Sequence, residues 1–232
     1  QLADMVDRTA AALAGFGVGK GVPVAILLPN LVPCVAAYYA TLKLGGIVVM
    51  NNPLYTDREL EHQFNDSQSK LLVTLDLLGN RMIDLRPKTH IKQIVITSIG
   101  DYLPFPKNWL FPLVAKKKKL AADVKPADDV FKWKAVLADH QPNPPAVPLG
   151  LEDVAMYQYT GGTTGLPKGA VVTHGNVTWN SVNTITSWGM TGQHKAPLQL
   201  PFFHIGGPMI FMVPLVHAGG TTILCSGFDA DE

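Results

Sequence analysis

Hydrophobic positions divide the chain into alternating helical and extended stretches. Leu2, Met5, Val6, Ala10 and Leu13 recur at helical spacing, and Gly15 ends that run. Val22 to Leu28 is a short apolar run, which predicts a buried strand. Pro29-Asn30 turns the chain into a second apolar helix that ends at Gly45-Gly46, and Ile47 to Met50 is the next strand. Thr56 and Glu59 have the spacing of a capping box, so a helix is expected to start near Asp57. Leu71 to Leu75 and Ile94 to Ser98 predict two further strands. Strands and helices alternating at this pitch predict an α/β fold, with layered, mostly parallel sheets flanked by helices.

The rhythm breaks between residue 99 and about 150. Leu103-Pro104-Phe105-Pro106, Lys116 to Lys119 and Pro142-Asn143-Pro144-Pro145 mark that stretch as an insertion or linker. The pattern resumes with strand-like Val154 to Tyr159, then Ala170 to Thr173, a helix from about Asn176 to Trp188, and strand-like Ala196 to Leu200. The expected organisation is an N-terminal α/β unit over 1–150 and the start of a second, nucleotide-binding unit over 151–232. The first residue already lies inside a helical pattern and no closing element precedes Glu232, so both ends are expected to be cut. A sheet interrupted in mid-domain would leave an unpaired edge, so homodimer formation is a further expectation.

Composition narrows the function classes. Hydrophobic residues make up 47% and charged residues 16% of the 232 positions, as in a globular protein. A net charge of +1 gives no global field for nucleic acid, so no nucleic-acid partner is expected. Cys34 and Cys225 are far apart and form no CxxC pair, which predicts reduced thiols in a cytoplasmic protein rather than a zinc site. No secretory signal opens the chain, and no apolar run approaches the ~20 residues that span a bilayer. Within 102–119, an aromatic-aliphatic stretch precedes Lys116 to Lys119. This has the composition of a peripheral membrane contact, with about 1 kcal/mol per lysine near an anionic surface. The competing expectation is a surface insertion with solvated lysines.

The chemistry concentrates in Tyr159-Thr160-Gly161-Gly162-Thr163-Thr164-Gly165-Leu166-Pro167-Lys168-Gly169. Glycines at this density let backbone N–H groups converge on one concavity without Cβ clashes. Thr160, Thr163 and Thr164 add hydroxyls, and Lys168 adds a mobile cation, which together suit a polyphosphate. The spacing is not that of a Walker A loop: Leu166 follows Gly165, and Gly169 follows Lys168. A dinucleotide fingerprint beginning at Gly17 and Gly19 fails because Val22 stands where the third glycine belongs. His62, His90, His140, His194 and His217 have no metal-like spacing and read as structural or surface residues, and His174 reads as a helix entry.

This loop resembles the phosphate-binding signature of the adenylate-forming superfamily, which includes acyl-CoA synthetases, luciferases and nonribosomal adenylation domains. Leu200-Pro201-Phe202-Phe203-His204-Ile205-Gly206-Gly207 resembles the next motif of that family, and Gly45 to Thr56 resembles an early segment. Asn52 to Glu61 and Asp101 to Asn108 are similar to long-chain fatty-acid–CoA ligases. The resemblance implies part of the large N-terminal domain of an acyl-CoA synthetase-like fold. It also implies two half-reactions: a fatty carboxylate attacks the α-phosphate of ATP, and coenzyme A then displaces AMP.

By the same resemblance, Thr160, Gly161, Gly162, Thr163, Thr164, Gly165 and Lys168 bind ATP, with Mg²⁺ met by Thr163 or Thr164. His204, with Lys168, serves catalysis, and Phe203, His204, Ile205, Gly206 and Gly207 line the acyl pocket. Some long-chain members place an aromatic gate four residues after the histidine, where this chain has Pro208. The family's adenine-binding motif, ribose-binding aspartate, hinge and catalytic lysine would follow Glu232, so residues 1–232 alone are expected to form no acyl-adenylate at a useful rate. A fatty acyl-AMP ligase, a medium-chain acyl-CoA synthetase and a non-catalytic nucleotide-binding module remain open alternatives.

Overall fold

The four strands of the central sheet that lie within residues 23–97 are mostly Val, Ile, Leu and Ala, because both of their faces are covered. The computed structural model describes residues 1–103, 106–118, 120–160 and 167–225. Helix α1 (Leu2–Gly15) precedes β1 (Pro23–Leu27), α2 (Val32–Lys43) and β2 (Ile47–Met50). Then come α3 (Asp57–Asp66), β3 (Leu71–Leu75), α4 (Asp76–Leu85) and β4 (Gln93–Thr97). After α5 (Lys107–Lys118), β5 (Val130–Lys132) and α6 (Trp133–Ala138), the strands β6 (Val154–Thr160) and β7 (Lys168–Thr173) lead into α7 (His174–Trp188). The described chain closes with β8 (Lys195–Leu198), a π-helical stretch Gly207–Met212, α8 (Val213–His217) and β9 (Thr221–Leu224).

Seven strands form one sheet in the order β5-β4-β3-β1-β2-β6-β7. All neighbours are parallel except β6 and β7, which form an antiparallel hairpin. A parallel pair needs a crossover, and crossovers are almost always right-handed. The chain moves one way from β1 to β2 and the opposite way from β2 to β3 and β4. Handedness therefore puts α2 on one face and α3 and α4 on the other. Packing agrees: Val24, Ile26, Leu28, Val48 and Met50 meet α2 on the first face, where Ala10 and Leu13 of α1 and Trp133 of α6 join them. Ala25, Leu27, Leu72, Ile94 and Ile96 meet Leu60 and Phe64 of α3 and Met82 of α4 on the second.

The expected capping box is present. The Thr56 N–H donates to Glu59 Oε2 at 2.8 Å, and the Glu59 N–H donates to Thr56 Oγ1. A second box, from Thr173 and Asn176, starts α7 two residues earlier than the hydrophobic pattern suggested, with His174 at the helix entry.

The 99–150 segment carries secondary structure of its own. It supplies β5, which pairs with β4 at the sheet edge, and α6, whose Trp133 is buried in the core. Both elements are too short for a periodicity to emerge. The seven-stranded sheet also runs across position 150, since β6 pairs with β2. The second sheet opens later, with the parallel pair β8-β9. Cys34 is buried, Cys225 is partly exposed, and both are free thiols.

Candidate functional site

β6 runs parallel to β2, so its carboxyl end reaches the edge where β1 to β4 also end. In open α/β sheets ligands bind in the crevice at that edge, where the strand order reverses. Here the reversal falls between β1 and β3, and β6 ends on the same carboxyl edge two strands from β1, beside β2. The signature loop leaves the sheet at this edge. Gly161, Gly162, Thr163, Thr164 and Gly165, assigned to ATP and in part to the metal, lie outside the described residues. Their two anchors are described: Thr160 ends β6, Lys168 begins β7, and the two are register partners. Both are exposed, and among the described residues no carboxylate pairs with Lys168. An unpaired ammonium and a hydroxyl thus face each other across the mouth of a hairpin at the ligand-binding edge.

Polar bonds from distant segments hold this hairpin. His62 Nε2, on α3, lies 2.8 Å from the Pro167 carbonyl, and so acts as a donor there. The Tyr159 hydroxyl donates to Asp66 Oδ2, also on α3, at 2.6 Å. Burial first, and then the Asp66 carboxylate, pushes the Tyr159 phenol well above its usual range, so it stays protonated as the donor. The ring packs tightly against the opposite strand: a Cβ at Gly169 would come within 3.2 Å of it. In the sequence His62 has the spacing of a structural or surface residue, and Asp66 carries no signal of a role. No local signal finds them, because each meets its partner across roughly a hundred residues of chain.

The second motif is held by the same strand and by the turn after β1. Gln158 Nε2 donates to the Phe203 carbonyl at 3.2 Å, while Gln158 Oε1, a buried acceptor, has no partner among the described residues. Asn30 clamps the approach: its Nδ2 donates to the Leu200 carbonyl at 3.0 Å, and its Oδ1 accepts from the Phe202 N–H at 2.9 Å. Asn30 follows the carboxyl end of β1, so it too was legible only as part of a turn.

His204 is exposed, and its Nδ1 accepts from the Gly206 N–H at 3.2 Å, which makes Nδ1 the unprotonated ring nitrogen in this tautomer. Phe203 and Ile205 are half-buried against the core, and Phe202 is buried. Gly207 is a steric requirement, since any Cβ would lie 2.6 Å from the Pro201 carbonyl. Pro208 is buried at the start of the π-helical stretch. The structure therefore brings the end of β6 and the 203–207 turn together through Gln158. Among the described residues no cluster of three or more His, Cys, Asp or Glu side chains can hold a metal. No described helix is long and apolar enough to cross a membrane.

The carboxyl edge of the sheet thus carries the anchors of the Gly/Thr-rich loop and a docked histidine turn, an arrangement that fits the family its sequence matches. The sequence matches the family described as AMP-binding enzyme over residues 1–232, and the chain belongs to it. It is 39% identical over 230 residues to a long-chain-fatty-acid–CoA ligase from Bacillus subtilis, covering 97% of this chain and 41% of that protein. A ligase of the same description from Escherichia coli is 34% identical over 217 residues, covering 90% and 38%. Among solved structures, ATP-bound MatB from Rhodopseudomonas palustris superposes with a TM-score of 0.74 at 24% identity, over 100% of this chain and 40% of that one. The chain thus spans about two fifths of the length of these relatives.

Proposed function

We propose that this chain is the N-terminal part of an ATP-dependent acid–thiol ligase that activates fatty acids, first as acyl-adenylates and then as coenzyme A thioesters. The observation that carries this reading is the β6–β7 hairpin, with Thr160 opposite an unpaired Lys168 at the carboxyl edge of the sheet. The identity to long-chain-fatty-acid–CoA ligases supports the substrate class.

Adenylation brings a carboxylate against a polyanion, so charge must be neutralised and the reactants held in line. Lys168 meets the phosphates, and Thr160 with Gly161, Gly162, Thr163, Thr164 and Gly165 encloses them. Mg²⁺, when bound, would supply further neutralisation of phosphate charge, and the hydroxyl of Thr163 or Thr164 would hold it, as the family resemblance implies. His204 stands exposed at the acyl-adenylate, and Phe203, Ile205, Gly206 and Gly207 shape the apolar wall. His62 and Asp66 are positioning residues that act through Pro167 and Tyr159. The protein works in the cytoplasm, with peripheral contact at the inner membrane face.

The test is fatty-acid-dependent pyrophosphate release from ATP by the protein in its full natural length, with and without coenzyme A, across chain lengths. Release with long acyl chains and acyl-CoA formation is expected, and Lys168→Ala should slow it by roughly 10²-fold. Adenylate without thioester would move the protein to the acyl-AMP ligases. ATP binding without release from any carboxylate would reduce it to a nucleotide-binding module.

A further inference from the structure

Helix α5 carries an apolar stripe that nothing described covers. Trp109, Leu110, Leu113 and Val114 stand at i, i+1, i+4 and i+5, and their exposures are 74%, 43%, 76% and 42%. On its inner side the helix is seated by buried Ala115 and by Phe111, whose ring lies where a Cβ on Gly100 would be, 2.5 Å away. Large apolar side chains this exposed, on consecutive turns, mark an interaction surface.

The charge around the stripe is one-sided. Residues 102–122 contain five lysines (Lys107 and Lys116 to Lys119) and no acidic residue. The whole chain has nineteen Lys and Arg against eighteen Asp and Glu, so fourteen cations face eighteen acids elsewhere. The remainder is thus net acidic, and the excess positive charge falls in the same segment of sequence as the exposed apolar stripe.

The stripe is also held firmly. The buried Asp76 carboxylate binds the Ser98 side chain before α5 and the Ala122 backbone after it. Asn80 donates to the Asp123 carbonyl at 2.9 Å and accepts from the Lys125 N–H at 2.8 Å. The excursion leaves the sheet at the carboxyl end of β4, the same edge as the signature hairpin. Four strand spacings separate β4 from β6, which is about 19 Å.

We propose that α5 docks this protein on an anionic phospholipid surface, with Trp109 and Leu113 entering the interface and the lysine-rich sequence of the segment favouring anionic headgroups. An apolar stripe with an indole, adjoining a lysine run, is the chemistry of an interfacial helix. Docking there turns the carboxyl edge of the sheet toward the layer in which a water-insoluble fatty acid is dissolved. The purpose rests on the ligase reading, but the binding does not.

The experiment is sedimentation of the full-length protein with vesicles of phosphatidylcholine and phosphatidylglycerol in equal parts, without ATP or fatty acid. The wild-type protein should sediment with these vesicles and much less with pure phosphatidylcholine. Trp109→Ser with Leu113→Ser should weaken binding by roughly tenfold or more, at an unchanged unfolding midpoint because both side chains are exposed. Replacing Lys116 to Lys119 with Gln should weaken binding to the anionic vesicles alone and make the remainder insensitive to salt. Absence of wild-type binding, or binding unchanged in the serine pair, overturns the proposal. So does a serine pair that alters only the oligomeric state in lipid-free buffer, which would make the stripe a protein contact. Because no step needs catalysis, lipid binding in an inactive protein would sink the ligase reading and leave this one standing.

Discussion

The β1–β4 region and the β6–β9 region of this molecule are built on opposite terms. In the first, nearly every strand residue is buried, and helices cover both faces. In the second, β7 and β9 have exposed residues, with Val171 at 60% and Ile223 at 50%, and α7 exposes Trp179 and Trp188. The first region is held by continuous apolar packing. The second shares that core only through one side, at Met156, Val177, Leu198, Phe202 and Met209, and is tied in addition by single polar bonds from afar: His62 to Pro167, Asp66 to Tyr159, Gln158 to Phe203 and Asn30 to the 198–202 segment. A region whose position rests on such bonds can carry exposed, charged groups that a packed core excludes, and this is where the signature residues lie.

The sharpest way to break the comparison is to damage the packed half. Ile26→Ala removes a fully buried side chain between β2 and β3, and should cost about 2–5 kcal/mol in a urea titration. A cost below 1 kcal/mol would mean that this half is not the stable one. The next effect tests the polar clamps. Asn30→Ala leaves the Leu200 carbonyl and the Phe202 N–H without their partner, and should cost about 1–3 kcal/mol while loosening the 200–207 turn. Hydrogen exchange at the Phe202 N–H reads that loosening directly. Unaltered protection there would show that packing, not Asn30, holds the turn.

The smallest effect is a pH dependence at the start of α7. His174 Nε2 is buried with no partner among the described residues, and burial lowers its pKa from 6.5 despite the opposing pull of Asp153. A group whose pKa is lowered on folding contributes stability that is fully present above its unfolded pKa and is lost as pH falls through the folded one. The melting temperature should therefore decline as pH drops below 6.5, and His174→Phe should flatten that part of the decline. An identical slope in the variant would assign the acid sensitivity to other groups.

Much of the fold was legible along the chain because its signals are local. Ile47–Met50 and Leu71–Leu75 were found at their observed limits, since an unbroken apolar run between turn residues is what a two-sided buried strand requires. The Thr56–Glu59 box marked the start of α3 because capping is a contact three residues long. The short elements within 99–150 were not legible for the converse reason. Val130-Phe131-Lys132 is a strand only because β4 presents an unpaired edge to it, and Trp133 is core only because α6 lies against α1 and β4.

The site divides the same way. By itself the sequence determined the class of loop, because glycine density, hydroxyls and Lys168 are chemical facts about adjacent residues. It also determined that α5 would be an apolar stretch ending in lysines. Tertiary structure alone decided that Thr160 and Lys168 face each other across a hairpin, that His62 and Asp66 brace it, that Gln158 ties it to the Phe203–His204 turn, and that Trp109 and Leu113 are left uncovered. Each of these depends on long-range pairing or on burial. Both are settled by how the sheet orders its strands and which face each helix takes, and neither is written in any window of neighbouring residues.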